Sequence, residues 1–328
     1  MRVLFIGGTG NISTAVSRLA VARGIDLYLL NRGQTPVAIP GAQTIIGDIH
    51  QPAAIEQALN GLTFDAVVNW IAFVPADIER DLALFRGKTK QYVFISSASV
   101  YQKPPVHPII TESTPLYNPY WDYSRNKIAC EDRLMSAYRT EHFPITIVRP
   151  SLTYYDRFPI AIGGWGGYTF ADRVLHGEKI IVHGDGSSLW TVTHAEDFAK
   201  GFVGLLGHPQ AIGQAFHITS DELLTWNQIY GTIAEALGVE ANVIHIPSDF
   251  IAEIDPQIGA GLLGDKTWSV LFDNTKIKTL VPDFQATIPF HQGVRQTLAW
   301  FEADERRKQI DESVNQALDA IIAAYERS

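Results

Sequence analysis

Arg2-Val3-Leu4-Phe5-Ile6-Gly7-Gly8-Thr9-Gly10-Asn11-Ile12-Ser13 decides the fold: an apolar, strand-forming run opens onto a glycine-rich turn and then a helix. Gly7 and Gly10 allow the backbone to turn tightly and approach a pyrophosphate, whose charge then rests on free amides, those of Asn11 and Ile12 included, at the positive end of the helix. Ser13 stands where the third glycine of the GxxGxxG spacing belongs, and it is small enough to let helix pack on strand. Taken alone, the motif is also what any strand needs in order to turn into a helix.

The next apolar run, Leu27-Tyr28-Leu29-Leu30, ends at Asn31-Arg32, about where a ribose-recognising residue sits in a dinucleotide fold. A carboxylate there suits an unphosphorylated ribose. A guanidinium suits a bidentate grip on a 2′-phosphate, so Asn31 and Arg32 read as cofactor contacts and NADP is favoured over NAD. The alternative is that Arg32 is a solvated turn residue before Gly33.

With 328 residues, 46% of them hydrophobic and 19% charged, the chain has material for one large or two modest cores. Its longest apolar runs, such as 64–74, are broken by Asp65 and Asn69 and are too short to span a bilayer, and Arg2 before a β-like stretch is not a signal peptide. The expectation is a cytoplasmic protein with no membrane partner. A net charge of −9 argues against a large nucleic-acid footprint, and a single cysteine, Cys130, forbids an internal disulfide and reads as a packing residue in a helix.

Strand-like runs near 2–6, 26–30, 43–46, 65–71, 91–96 and 145–149 alternate with helix-like segments near 11–22, 52–60, 76–86 and 122–140. Such alternation predicts an α/β fold: a Rossmann-type doubly wound parallel sheet over residues 1–150, with later returns near 190–235. Residues 151–328 read as a smaller C-terminal substrate-binding region ending in a helix. Within it Gly163-Gly164-Trp165-Gly166-Gly167 marks a loop-rich insertion, 216–218 and 243–246 suggest strands, and 226–237 a helix. In the last stretch Ile310, Val314, Leu318, Ile321, Ile322 and Tyr325 recur at helical spacing, which suits either a cap or a partner-binding helix.

A second motif carries chemistry. Tyr123 and Lys127, four residues apart on a predicted helix, share one face, so the ammonium should favour the phenolate and bring Tyr123 toward useful pH as an acid or base. Lys127 is also free to donate to a nicotinamide ribose. Ser97, in Ser96-Ser97-Ala98-Ser99 at the end of the fifth strand, lies where ligands meet such a sheet and offers a hydroxyl to hold the substrate oxygen.

These residues together resemble the extended short-chain dehydrogenase/reductase family, in particular its NAD-dependent epimerase/dehydratase branch acting on nucleotide sugars. The resemblance runs through nearly all of residues 1–300: the glycine turn, Gly47-Asp48-Ile49, Asn69 to Phe73, Ser97, Tyr123, Lys127, Arg149-Pro150, Gly184-Asp185-Gly186 and His194-Ala195-Glu196-Asp197. It implies adenine contacts from Asp48 and Ile49, a cofactor-side position for Ala72, and Ser97 as the catalytic hydroxyl, four residues before Tyr101. It also implies hydride exchange between a substrate carbon and nicotinamide, and a homodimer through the helices near 76–86 and 122–140. The expected function is an epimerase, or a dehydrogenase or reductase, on a sugar, nucleotide sugar or similar small molecule. Alternatives are a carbonyl reductase for a non-sugar substrate and a cofactor-sensing RNA-associated protein like the chloroplast stem-loop-binding relatives.

Departures from the family pattern narrow this. Ala98 and Ser99 replace the Asp-Glu pair of the 4,6-dehydratases, which removes the acid and base for losing water, and Ser99 reads instead as a substrate contact. Trp190 stands where many nucleotide-sugar epimerases carry a diphosphate-binding Arg, and it reads either as a stacking surface for a sugar or base or as wall packing. Tyr154, Tyr155 and Trp165 are further wall candidates, with packing the alternative. His176, His183 and His194 border the expected cleft or serve structurally. No HExxH, paired Cys/His spacing or GxSxG elbow occurs, so no metal site and no serine-hydrolase elbow are expected.

Overall fold

The computed structural model describes residues 1–34, 37–164 and 167–328. Seven strands form one parallel sheet: β1 (Arg2–Ile6), β2 (Asp26–Asn31), β3 (Gln43–Ile46), β4 (Ala66–Asn69), β5 (Tyr92–Ile95), β6 (Ile145–Pro150) and β7 (Gln214–Ile218). Their spatial order is β3-β2-β1-β4-β5-β6-β7. The chain winds outward from β1 in one direction and from β4 in the other, so the strand order reverses between β1 and β4 and leaves a crevice at their carboxyl ends.

Strand residues alternate between two covered faces. Val3, Phe5, Leu27, Leu29, Val68 and Val93 pack on α1 (Ser13–Ala22) and on 195–205, while Leu4, Ile6, Leu30, Val67 and Phe94 pack on 52–58, 75–85 and 122–141. Burial on both faces is why these strands read as near-continuous apolar runs. The helices that follow α1 are α2 (Pro52–Ala58), α3 (Pro75–Phe85), α4 (Asp122–Glu141), α5 (Thr169–Leu175), α6 (Ala195–Leu205) and α7 (Trp226–Leu237). Cys130 is buried on the α4 side, where burial pushes its thiol up to about 12, as a packing residue should be.

A second core joins Leu152, Tyr154, Phe170, Trp190, Trp226, Tyr230 and Phe290. The chain therefore returns to the sheet with α6 and β7, over 195–218, whereas α7 belongs to the second core. The last elements are α8 (Ser248–Ile254), α9 (Pro256–Gly261), α10 (Thr275–Leu280), α11 (Phe290–Glu302) and α12 (Glu312–Tyr325). Leu318, Ile321 and Ile322 of α12 pack with Ile181, Ile246, Ile251 and Leu262, so its apolar face caps its own chain.

Candidate active site

A cavity of about 1360 Å³ opens at the β1–β4 crevice. Gly7, Gly10, Asn11 and Ile12 line one side of it, and Asn31, Arg32, Asp48 and Ile49 line the end beyond β2. Gly7 and Gly8 have φ of +93° and +105°, and a Cβ on Gly8 would lie 2.7 Å from Leu29, so the tight turn is made by these two. Gly10 has no positive φ; its amide donates to Ser13 Oγ at 2.9 Å, which fixes the helix entry. The amides of Asn11 and Ile12 have no protein acceptor among the described residues. Asn11 Nδ2 donates to the Thr153 carbonyl at 2.9 Å and ties this turn to the second half of the chain.

Ser97, Tyr123 and Lys127 converge on the same cavity. Ser97 caps a single 3₁₀ turn directly after β5, while Tyr123 and Lys127 lie on the first turns of α4. Ser97 Oγ accepts from the Ser99 amide at 3.2 Å and lies 2.9 Å from Ser99 Oγ, which accepts from Ser124 Oγ at 2.7 Å. Both lone pairs of Ser97 are thereby occupied when Ser99 donates along this chain, leaving its own proton for the cavity. Ser99 and Ser124 are fully buried, and Asn118 Nδ2 holds the Ser99 carbonyl at 2.8 Å.

Lys127 Nζ donates to the carbonyls of Ala72 (2.7 Å) and Ile95 (2.8 Å), and it stands 4.5 Å from the Phe73 ring centroid. Ala72 thus contributes its backbone to the lysine, and it is absent from the cavity lining. Burial lowers the Lys127 ammonium to about 8, against opposing fields from Cys130, Glu131 and Asp77. Tyr123 departs from expectation: burial raises its phenol to about 12, the nearby Ser97 hydroxyl pulls it back in part, and the Asp265 carboxylate adds to the rise. The expected depression by Lys127 is missing because the ammonium is spent on backbone carbonyls and lies 5.7 Å from the phenol ring centroid.

Two expected substrate contacts fall elsewhere. Trp190 is buried in the second core at 5.8 Å from Trp226, and Tyr154 is buried against His194 and Phe290; neither lines the cavity. Both aromatic rings complete a core that the apolar periodicity could not separate from a site wall. Tyr155 takes a hydrogen bond from Arg18 at 2.7 Å, and Trp165 and Gly166 lie outside the described residues. His176 is exposed beside Asp172. His183 and His194 are buried away from the cavity, where desolvation lowers each to about 4. No group of three or more potential metal ligands occurs among the described residues.

The sequence reading missed the far wall, which is formed by Gln257 and Ile258 of α9, by Asp265 and Lys266, and by Ser313, Val314, Ala317 and Leu318 of α12. The periodicity of α12 was visible, but which neighbour its face meets depends on the tertiary fold. Trp70, Ser96 and Thr153 also line the cavity, and each, like Asn11 with its Oδ1, has a buried polar atom with no partner among the described residues. Orphaned donors and acceptors around a glycine cradle fit a bound dinucleotide, whose oxygens and amide would satisfy them.

A seven-stranded parallel sheet with helices on both faces and a glycine cradle at its switch point defines a Rossmann-like α/β protein. Residues 3–219 match the NAD dependent epimerase/dehydratase family, and the chain belongs to that family. Among characterised proteins it is 25% identical over 291 residues to the 2'-dehydrokanamycin reductase of Streptomyces kanamyceticus, covering 87% of this chain and 80% of that one. It is 26% identical to the chloroplast stem-loop binding protein of 41 kDa b of Arabidopsis thaliana, covering 76% and 67%. The fold matches the dTDP-glucose 4,6-dehydratase of Bacillus anthracis, solved with NAD, with a TM-score of 0.73 at 19% identity over 93% and 98% of the two chains. The likeness to reductases, epimerases and dehydratases marks the chain as an enzyme.

Proposed function

We propose that the chain is an NAD(P)-dependent oxidoreductase that interconverts a hydroxyl and a carbonyl on a small, sugar-like molecule, with Ser97, Tyr123 and Lys127 as its catalytic set. The observation that carries this reading is the convergence of the three side chains on one cavity beside the glycine cradle. When bound, the nicotinamide supplies or accepts the hydride. Gly7, Gly10, Asn11 and Ile12 would hold its pyrophosphate, Asp48 and Ile49 its adenine, and the third N–H of Lys127 its ribose. Ser97 donates to the substrate oxygen. Tyr123, whose raised phenol stays protonated well above neutral pH, gives its proton to that oxygen as the carbonyl becomes an alcohol and takes it back in the reverse direction.

Arg32, exposed at the adenosine end without an ion-pair partner among the described residues, supports NADP as the preferred cofactor. No described helix is long and apolar enough to cross a membrane, and a cytoplasmic homodimer built on α3 and α4 completes this reading. The test is Tyr123→Phe. Loss of the proton donor should lower turnover about 10²–10⁴-fold with NADPH binding retained; full activity in that variant would refute the assignment. RNA association, favoured by the likeness to the chloroplast protein, is the second reading, and retention of RNA at physiological salt would support it.

A further inference from the structure

The reductase reading leaves the substrate class open, and the charges at the substrate end of the cavity narrow it. Only Arg32, Lys127 and Lys266 supply full positive charge to the lining among the described residues. Arg32 lies at the adenosine end, and Lys127 spends two of its three donors on backbone carbonyls. Lys266, the remaining cation, is paired with the Asp265 carboxylate, whose other oxygen faces Lys103 at 3.9 Å; Lys103 is itself sealed in the interior, outside the lining.

The starts of α9 and α12 are also taken. The amides of Gln257 and Ile258 both donate to Asp255 at 2.9 Å, and the Ser313 amide donates to Asp311 at 3.0 Å. A carboxylate on each helix N-terminus fills the place where an anion would otherwise bind and repels a second one. A diphosphate needs free cations or open amides, and Lys266 and the amides of Gln257, Ile258 and Ser313 are each already matched by a carboxylate. Ile160, Ile162, Ile258, Val314 and Leu318 make an apolar stretch of the wall, with the uncharged Ser151, Thr153, Gly163, Gly164, Gln257 and Ser313 beside it.

We propose that the substrate end takes a phosphate-free hydroxy or keto compound with an apolar face, and that it rejects nucleoside diphosphate derivatives. This rests on the redox reading above for the fate of the substrate, but not for its binding. The test uses the full chain loaded with NADP⁺ and three probes, UDP, cyclohexanone and 4-phenylcyclohexanone. Binding is followed by ligand-observed NMR, and reduction by NADPH absorbance in separate assays.

UDP should show no saturable binding at millimolar concentration. The phenyl ketone should bind and be reduced with kcat/KM about tenfold or more above cyclohexanone, because its ring leaves water for the apolar wall. Ala317→Asp, at a partly exposed wall position, should bring that ratio toward unity. Micromolar UDP binding, or a wild-type ratio at or below one, overturns the inference. Phenyl ketone binding without hydride transfer upholds the substrate class and refutes the redox reading instead.

Discussion

The Lys127 ammonium offers a direct measure of how the site works. Burial lowers it to about 8, while the Tyr123 phenol is raised to about 12, so across the range between these values the lysine titrates and the phenol stays protonated. If the ammonium holds the loop carbonyls of Ala72 and Ile95 and offers its third N–H to the ribose, kcat/KM for NADPH should fall above about pH 8. A neutral amine has one donor fewer, and the hydrogen bond lost involves a charged group, which is typically about 1.5–3 kcal/mol, or roughly 10–100-fold. Since kcat/KM reports the free enzyme, the inflection should follow the unliganded site.

The assay is NADPH oxidation with 4-phenylcyclohexanone from pH 6 to 11, for the wild type and for Lys127→Arg, whose guanidinium stays charged throughout. The inflection near 8 should vanish in Lys127→Arg, whatever its absolute rate. A wild-type inflection only near 10, or one near 8 that persists in Lys127→Arg, would refute the role given to Lys127 and reassign the titration to another group.

Arg32→Ala should weaken NADPH binding about 10–100-fold and leave NADH nearly unchanged, with the NADPH penalty shrinking at high salt; isothermal titration with both cofactors decides this. His183 and His194 have folded values of about 4 against 6.5, so the unfolded chain binds more protons between these limits and stability is lost as pH falls through that window. Each contributes about 3 kcal/mol to that loss by pH 4. Chemical denaturation should show a shallower acid loss in His183→Gln and His194→Gln, and unchanged slopes would overturn the assignment.

Much of the cofactor half was legible because its determinants are local. An apolar strand, two glycines at positive φ and a small residue at Ser13 are constraints within a dozen residues, and the Tyr123–Lys127 spacing follows from the helix repeat alone. The alternation of strand and helix predicted the parallel sheet, because strands covered on both faces must be apolar throughout. Trp190 and Tyr154 were open between packing and substrate contact because an aromatic side chain suits either, and only the second core settles them as packing.

By itself, then, the sequence determined the sheet, the glycine cradle and the placement of Ser97, Tyr123 and Lys127 at strand and helix ends. Tertiary structure decided what those groups are electrically. Burial raised Tyr123 and lowered Lys127, and backbone carbonyls took the ammonium that spacing alone had aimed at the phenol. It also brought Lys266, Gln257 and Ser313 to the cavity wall, with the Lys266 ammonium and the backbone amides of Gln257 and Ser313 each matched by an aspartate, although they lie more than a hundred residues from Tyr123 in the chain. Spacing along a chain fixes which side chains share a helix face; desolvation and pairing depend on every surface folded around them.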